Sequence, residues 1–160
     1  MVLFKERTDI NFILTGQGKD FKALNKKVRA LNLEDRFILL GQVSREKLLE
    51  LFQNASLFVF PSYHEGLPTA ILEAMSCGIP IIATDVRGNK DLISNGENGI
   101  LIPPRNPRKI AESISILLKD EKLRENLGKN ARNTVIEKYT WDIIANKILK
   151  CYETLIGERT

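Results

Sequence analysis

Two glutamates, separated by seven residues, carry the clearest chemistry in this chain. Glu65 and Glu73 lie in the segment His64–Met75, directly after a short apolar run. From residue 67 to residue 83, Glu73 is the only charged side chain. A carboxylate in such apolar surroundings requires a polar partner, because its burial alone is unfavourable. The spacing therefore indicates a polar ligand that meets both carboxylates.

The elements around the glutamates predict where this ligand would bind. The run Leu57–Phe60 predicts a strand, and Pro68 predicts the first position of a helix, where no N–H is needed. Open α/β sheets bind ligands at the carboxyl ends of their strands, and a helix N-terminus there favours a phosphate. Glu65 would lie at the mouth of the cleft, with Glu73 about two turns further along. Two carboxylates flanking an anion site suit a nucleotide sugar, which has hydroxyls on both sides of a diphosphate.

Short apolar runs alternate with helical patterns from residue 11 to residue 102. Strands that are apolar on both faces and alternate with helices predict an α/β fold with a doubly wound parallel sheet. Residues 105–160 predict a C-terminal helical segment, with Asn106, Asp120 and Thr140 as the caps of its three helices. The predicted strands are Asn11–Thr15, Arg36–Leu40, Leu57–Phe60, Ile81–Ala83 and Ile100–Ile102. The predicted helices are Phe21–Leu31, Ser44–Asn54, Pro68–Ser76, Asn89–Ile93, Pro107–Leu118, Glu121–Glu137 and Trp141–Ile156.

The size and charge of the chain argue against nucleic-acid-binding and membrane-spanning proteins. The 160 residues, 43% hydrophobic and 28% charged, fit a single globular domain over residues 1–160. The net charge is +4, but acidic residues accompany the basic ones without interleaved aromatics, so nucleic acid is not an expected partner. No stretch approaches the roughly 18 apolar residues of a membrane span. We expect a cytoplasmic protein, and contact with anionic lipid at the inner face of the membrane stays open.

Other residue types give weaker indications. Gly16 and Gly18 follow the first predicted strand and form either a turn beneath a ligand or a plain turn. Phe21 stands where the third glycine of a dinucleotide fingerprint would be, so that fingerprint is not predicted. His64 is the only histidine, and we expect it to be a polar residue at the rim rather than a catalytic base. No cluster of histidine, cysteine and carboxylate residues has metal-ligand spacing, so no metal is expected.

The same glutamates carry a family resemblance. Their spacing, set in Pro61–Pro68 and followed by Glu73–Thr84, resembles glycosyltransferase family 4, whose members are retaining enzymes of the GT-B fold. The resemblance continues through Asn95–Pro103 to the last helix and thus covers nearly the whole chain. It implies the Rossmann-like, C-terminal donor-binding half of such an enzyme, with the acceptor-binding N-terminal domain missing. It also implies that the first strand is missing and that residues 1–10 are the tail of a truncated helix.

The resemblance further implies residue roles. Glu65 is implied to be catalytic and to accept hydrogen bonds from the donor sugar, assisted at the sugar and diphosphate by the N–H groups of Gly66, Leu67 and Thr69. Glu73 is implied to accept hydrogen bonds from the two ribose hydroxyls.

The resemblance also gives roles to residues outside this segment. The main chain at Gln42 and Val43 is implied to contact the nucleobase, and Gly16 and Gly18 are implied to form the glycine turn. The reacting histidine of the family belongs to the missing half, so His64 receives no catalytic role.

The expected function is donor binding in a retaining glycosyltransferase. The parent enzyme would move a hexose from a UDP- or GDP-hexose to a hydroxyl acceptor in glycan or polysaccharide biosynthesis, without a cofactor. The isolated chain would bind nucleotide weakly and be inactive. Two alternatives remain: a fragment of a GT-B-type sugar epimerase, and a non-catalytic α/β interaction module. In the module, Glu65 would cap the following helix and Glu73 would pair with a lysine or arginine.

Overall fold

The computed structural model describes residues 9–157, so the predicted helix tail lies almost wholly outside the described residues. This part divides into two compact units between Asn54 and Ala55. The first unit contains β1 (Phe12–Thr15), α1 (Phe21–Ala30), β2 (Phe37–Gly41) and α2 (Arg45–Asn54). The second contains β3 (Phe58–Phe60), α3 (Thr69–Ser76), β4 (Ile81–Thr84), α4 (Arg87–Lys90), β5 (Ile100–Ile102), α5 (Pro107–Lys119), α6 (Glu121–Lys138) and α7 (Trp141–Gly157).

In the first unit, β1 and β2 pair in parallel. Phe12 lies opposite Phe37, and their rings stack with centroids 5.8 Å apart. The prediction that these strands are buried on both faces is wrong for this sheet, since Ile13 is 48% and Ile38 is 38% exposed. These two residues are register partners, and residues opposite each other share a face of the sheet. One apolar face of the first sheet is therefore open in the described part of the chain.

The second unit has a three-stranded parallel sheet with β4 in the centre, between β3 and β5. All four residues of β4 are buried, as expected for a central parallel strand covered on both faces. Helices α3, α5 and α6, the strand β5 and the segments beside α3 and α4 contribute the other buried side chains. The core of this unit consists of Ile71, Ala74, Met75, Ile79, Ile81, Ile82, Ala83, Leu92, Ile93, Ile102, Ile114, Leu117, Leu127 and Ala131.

The C-terminal helices begin at the predicted caps. The side chain of Asn106 accepts a hydrogen bond from the Lys109 N–H at 3.0 Å, and that of Asp120 accepts from the Leu123 N–H at 2.9 Å. These bonds satisfy N–H groups that a helix start leaves unpaired. Helix α6 then passes very close to the end of α3: a Cβ on Gly128 would lie 2.1 Å from the carbonyl oxygen of Gly78.

Three helix starts differ from the prediction, and α2 begins one residue late, at Arg45. Helix α3 begins at Thr69, and Pro68 is its N-cap with an extended backbone (ψ 99°). The carbonyl of Pro68 accepts the first helical hydrogen bond, from the Ile71 N–H at 3.0 Å. Because the N–H of a cap residue makes no bond within the helix, proline is tolerated at this position as well. Helix α4 begins at Arg87 rather than Asn89, because the extended Val86 precedes it and the Lys90 N–H bonds back to the Val86 carbonyl.

The predicted α/β class with parallel strands is confirmed. The hydrogen-bonded ladders among residues 9–157 form two parallel sheets, one of β1 and β2 and the other of β3, β4 and β5. Among the described residues, no helix has the length and apolar character needed to cross a membrane.

Candidate functional site

The loop between β3 and α3 carries the first glutamate. Glu65 is half-buried, and its carboxylate has no hydrogen bond or ion pair with residues 9–157. The alternative in which Glu65 caps the following helix is wrong, since Pro68 occupies the cap and no side chain bonds there. The carboxylate therefore remains able to accept hydrogen bonds from another molecule.

The N-terminus of α3 presents the predicted backbone donors. Within the described chain, the N–H groups of Gly66, Leu67 and Thr69 have no protein acceptor, whereas the Ile71 N–H bonds to the Pro68 carbonyl. The Leu67 side chain is 58% exposed, so the loop is open to solvent. Free N–H groups at the positive end of a helix dipole form a site that favours an anion.

Glu73 lies on the same face of α3 as this helix start. It follows Thr69 by four residues, and residues at that spacing are neighbours on a helix surface. Because α3 begins at Thr69, Glu73 lies about one turn inside the helix. It is half-buried and forms no ion pair in the described part of the chain. The alternative in which Glu73 pairs with a lysine or arginine receives no support from these residues.

A glycine that sequence reasoning did not single out supports the Glu65 loop. Gly88, in α4, is buried. A Cβ there would lie 2.3 Å from the carbonyl oxygen of Gly66 and 2.6 Å from that of Glu65. Real Cβ atoms do not approach backbone oxygens so closely, so glycine at this position allows the loop to rest on α4.

A cleft lies where β3, β4 and β5 end. Its volume is about 410 Å³, and Tyr63, Thr84 and Arg105 are among the residues that line it. The guanidinium carbon of Arg105 lies 5.5 Å from the centroid of the Tyr63 ring. Sequence reasoning missed this pair. Arg105 adopts a left-handed backbone (φ 58°), which an arginine in the sequence does not predict. The cleft is at the strand edge where a ligand was expected.

The remaining predicted residues belong to the first unit. Gly16 follows β1 and Gly41 is the last residue of β2, so both lie at the same edge of the parallel sheet. The Gly16 N–H donates to the Gly41 carbonyl at 2.7 Å. The turn is thereby held beside the loop of Gln42 and Val43. Gly16 has a φ of 108°, which favours glycine, whereas Gly18 has no such constraint. A role of these residues in ligand binding stays a prediction.

Other reactive groups near α3 do not form a second centre. His64 is exposed, and no cluster of three or more His, Cys, Asp or Glu residues among residues 9–157 could hold a metal ion. Burial raises the pKa of the Cys77 thiol; Arg132 opposes this effect and the Glu73 carboxylate adds to it. A thiol with a raised pKa is a poor nucleophile at neutral pH, because little thiolate is present.

Comparison with known proteins agrees with this geometry. Residues 1–134 match the family described as glycosyl transferases group 1. The N,N'-diacetylbacillosaminyl-diphospho-undecaprenol alpha-1,3-N-acetylgalactosaminyltransferase of Campylobacter jejuni is 40% identical over 146 residues, which are 91% of this chain and 38% of that protein. The chain thus spans less than half the length of this relative.

Two solved structures show the same fold. The C-terminal domain of a glycosyl transferase group 1 family protein (LpcC) from Francisella tularensis has a TM-score of 0.79 at 27% identity, covering 88% of this chain and 75% of that chain. A mutant of TarM from S. aureus, in complex with Fondaparinux, alpha-GlcNAc-glycerol and UDP, has a TM-score of 0.85 at 29% identity, covering 93% of this chain and 30% of that chain. The prediction of a C-terminal GT-B domain is confirmed. The chain belongs to the glycosyl transferases group 1 family.

Proposed function

We propose that this chain is the donor-binding domain of a retaining glycosyltransferase of family 4. The parent enzyme moves a hexose from a nucleoside diphosphate sugar to a hydroxyl acceptor in glycan or polysaccharide biosynthesis. One observation carries the proposal: three unpaired N–H groups at the start of α3 lie in one segment with two glutamates that form no bond in the described chain.

The start of α3 is assigned to the diphosphate. The N–H groups of Gly66, Leu67 and Thr69 are hydrogen-bond donors without an acceptor, and a helix N-terminus carries a partial charge of about +0.5. Both features stabilise phosphate oxygens. They act more strongly on the departing diphosphate than on the bound donor, because negative charge grows on these oxygens as the bond to the sugar breaks.

The two carboxylates are assigned to hydroxyl groups on either side of the diphosphate. An ionised carboxylate only accepts hydrogen bonds, so its natural partners in a nucleotide sugar are hydroxyls. Glu65, in the loop, binds the sugar and is the proposed catalytic residue. Glu73 lies about 6 Å along the helix axis from Thr69 and binds the ribose hydroxyls. One extended ligand can therefore contact the helix start and both carboxylates.

The proposed reaction exchanges one bond at the anomeric carbon of the hexose. The bond from this carbon to the diphosphate oxygen breaks, and the diphosphate leaves with the electron pair. The acceptor oxygen bonds to the same carbon with retained configuration, and its proton passes to the departing diphosphate. Glu65 orients the sugar during this exchange, and the helix start holds the leaving group.

The names of related proteins agree with this substrate class. The Campylobacter relative is named as an N-acetylgalactosaminyltransferase that acts on a diphospho-undecaprenol compound, and the TarM structure contains UDP. We infer that the donor is a UDP- or GDP-hexose. We place the parent enzyme in the cytoplasm, with peripheral contact to the inner face of the membrane. The 160-residue chain binds donor weakly and requires an acceptor-binding N-terminal domain for turnover.

A calorimetric titration tests the proposal. Wild-type chain and Glu73→Ala are titrated with UDP, GDP and their hexose conjugates. We expect saturable binding of one nucleotide, weakened about tenfold or more in Glu73→Ala. Glu112→Ala is the matched control, because Glu112 is a partly exposed helical glutamate whose carboxylate pairs with Lys109 on α5. Absence of binding at millimolar ligand, or equal weakening in both variants, would favour a non-catalytic interaction module.

A further inference from the structure

A chain of hydrogen bonds runs from α4 to the Glu65 loop. Asn89 is 0% exposed, and its Nδ2 donates to the Thr84 carbonyl at 2.8 Å and to Thr84 Oγ1 at 3.2 Å. Thr84 Oγ1 in turn donates to the carbonyl oxygen of Ser62. Ser62 is two residues beyond β3, at the start of the loop that carries Glu65.

The acceptors in this series of hydrogen bonds fix the orientation of the Asn89 amide. A backbone carbonyl can only accept, so the amide nitrogen must face Thr84 and the amide oxygen must point away. That oxygen, Oδ1 of Asn89, is buried without a partner, as is Oγ of Ser62; among residues 9–157 these are the only two such side-chain atoms. A polar atom that is buried without a partner is unfavourable. Asn89 is at one end of the hydrogen-bond chain that supports the loop, and Ser62 is at the other, so each end carries one of these unfavourable atoms.

The neighbour of Asn89 supports the same loop by contact. The carbonyl oxygens of Glu65 and Gly66 pack against Gly88 so closely that a Cβ would lie within 2.6 Å of both. Consecutive residues of α4 therefore reach the loop at two places, one through Thr84 and Ser62 and one directly beneath Glu65.

We propose that Asn89 is a positioning residue, which sets the place of the Glu65 loop through Thr84 and thereby the contact of Glu65 with the donor sugar. This inference rests on the function proposed above for Glu65. Asn89 is fully buried, so it does not touch the ligand itself. Its effect is greatest at the sugar, because these hydrogen bonds reach the loop that carries Glu65. Glu73 and Thr69 lie on α3, which the bonds do not reach.

A second buried asparagine provides a matched control. Asn98 is 5% exposed, and both ends of its amide are paired. Its Oδ1 accepts from the Ser94 N–H at 2.8 Å, and its Nδ2 donates to the Leu92 carbonyl and to Thr134 Oγ1. These bonds hold the turn before β5 against α6. Loss of Asn98 should therefore destabilise the fold without changing the Glu65 loop.

The test compares Asn89→Asp with Asn98→Asp. Each substitution keeps the shape of the side chain and removes its two N–H donors. For each folded variant, calorimetry gives the ratio of affinities for a nucleoside diphosphate and for its hexose conjugate. We expect Asn89→Asp to lower the affinity gained from the hexose about tenfold, with a smaller loss of affinity for the nucleoside diphosphate, because Gly66 and Leu67 of the same loop are its proposed donors. Asn98→Asp should leave both affinities unchanged.

A second pair keeps the inference testable if Asn89→Asp does not fold. Thr84→Ser retains the hydroxyl that links Asn89 to Ser62, and Thr84→Val removes it at similar volume. The serine variant should retain the wild-type ratio, and the valine variant should lose it. A ratio unchanged in Thr84→Val would overturn the inference.

Failure of the positioning role and failure of the proposed function give different results. Glu65→Gln establishes first whether the hexose gain depends on Glu65; if it does not, the proposed role of Glu65 fails. Independently of any ligand, ¹⁵N NMR reports the amide shifts of Glu65 and Gly66. Asn89→Asp should move these shifts and Asn98→Asp should not. Equal, small shifts in both variants would exclude a positioning role whatever the ligand result.

Discussion

The two sheets in the described part of the chain are built from similar sequences but differ in burial. Strands β1 and β2 are as apolar as β3, β4 and β5. In the second unit, β4 lies between two parallel neighbours and all of its residues are buried. In the first unit, Ile13 and Ile38 lie on an open face. An apolar strand therefore predicts a sheet, but the neighbouring strands and helices determine how much of it is covered.

Glycines of this chain also differ in how closely their surroundings are packed. A Cβ on Gly18 would meet no atom within 4 Å, whereas a Cβ on Gly88 would collide with backbone oxygens of the Glu65 loop. The glycines that resemble a ligand-binding motif lie in open space, and the glycine that supports the candidate site lies inside a helix. Packing, rather than motif, identifies the glycine on which the site depends.

The largest expected effect concerns the two sheets. Ile82→Ala in β4 removes a fully buried side chain, and such a truncation costs about 2–5 kcal/mol in the free energy of unfolding. Ile13→Ala in β1 removes a side chain that is 48% exposed, so we expect a loss below about 1 kcal/mol. Urea unfolding of both variants measures the difference. Equal losses would show that the first sheet is covered as tightly as the second.

The next effect concerns the glycines. Gly88→Ala forces the Glu65 loop or α4 to move, and overpacking of this kind costs about 1–3 kcal/mol. It should also weaken binding of a hexose conjugate more than binding of the nucleoside diphosphate. Gly18→Ala, the control, has space for the added methyl group and should change neither quantity. A stable Gly88→Ala with unaltered binding would contradict the contact beneath Glu65.

A smaller effect is expected at the turn of the first unit. Gly16 has a φ of 108°, so alanine there is strained although nothing blocks its Cβ. Substitution should cost about 1 kcal/mol through backbone strain alone. Thermal unfolding of Gly16→Ala and Gly18→Ala checks this, and the Gly18 variant should match wild type. Identical midpoints for the two variants would argue against the left-handed turn.

The smallest expected effect is the coupling energy of exposed ion pairs, which should be equal in the two units. Lys47–Glu50 in α2 and Lys90–Asp85 beside α4 are both ion pairs of 2.8 Å between largely exposed side chains. Exposed pairs contribute about 0–1 kcal/mol, and salt screens them. Double-mutant cycles should give similar small couplings that fall at high salt. A strong coupling in one unit alone would mean that charge, and not only burial, distinguishes the units.

Local rules made much of the fold predictable. Asn106 and Asp120 cap their helices as predicted, because a cap depends on residues three positions apart. Most predicted strand and helix boundaries lie within one or two residues of those in the structure. Helix α4 begins two residues before the predicted start, because its start depends on the extended Val86 and not on a strong capping residue.

The candidate site was predictable only where it is local in sequence. Glu65, Glu73 and the free N–H groups lie within one loop and helix, so their spacing was sufficient to place them. The hydrogen bond from Thr84 to Ser62 and the packing of Gly88 against this loop join residues more than twenty positions apart. No periodicity or capping rule reports such tertiary contacts. The same holds for the open face of the first sheet.

The most direct test of the account is a ¹⁵N NMR titration of the wild-type chain with UDP and GDP, followed through the amides of Gly66, Leu67 and Thr69. The account predicts that these three resonances shift together and saturate with one dissociation constant, because their N–H groups donate to the diphosphate. Amides of α7, distant along the chain, serve as the internal control and should not move. Saturable shifts elsewhere with these three amides unmoved would contradict the assignment of the diphosphate to the start of α3.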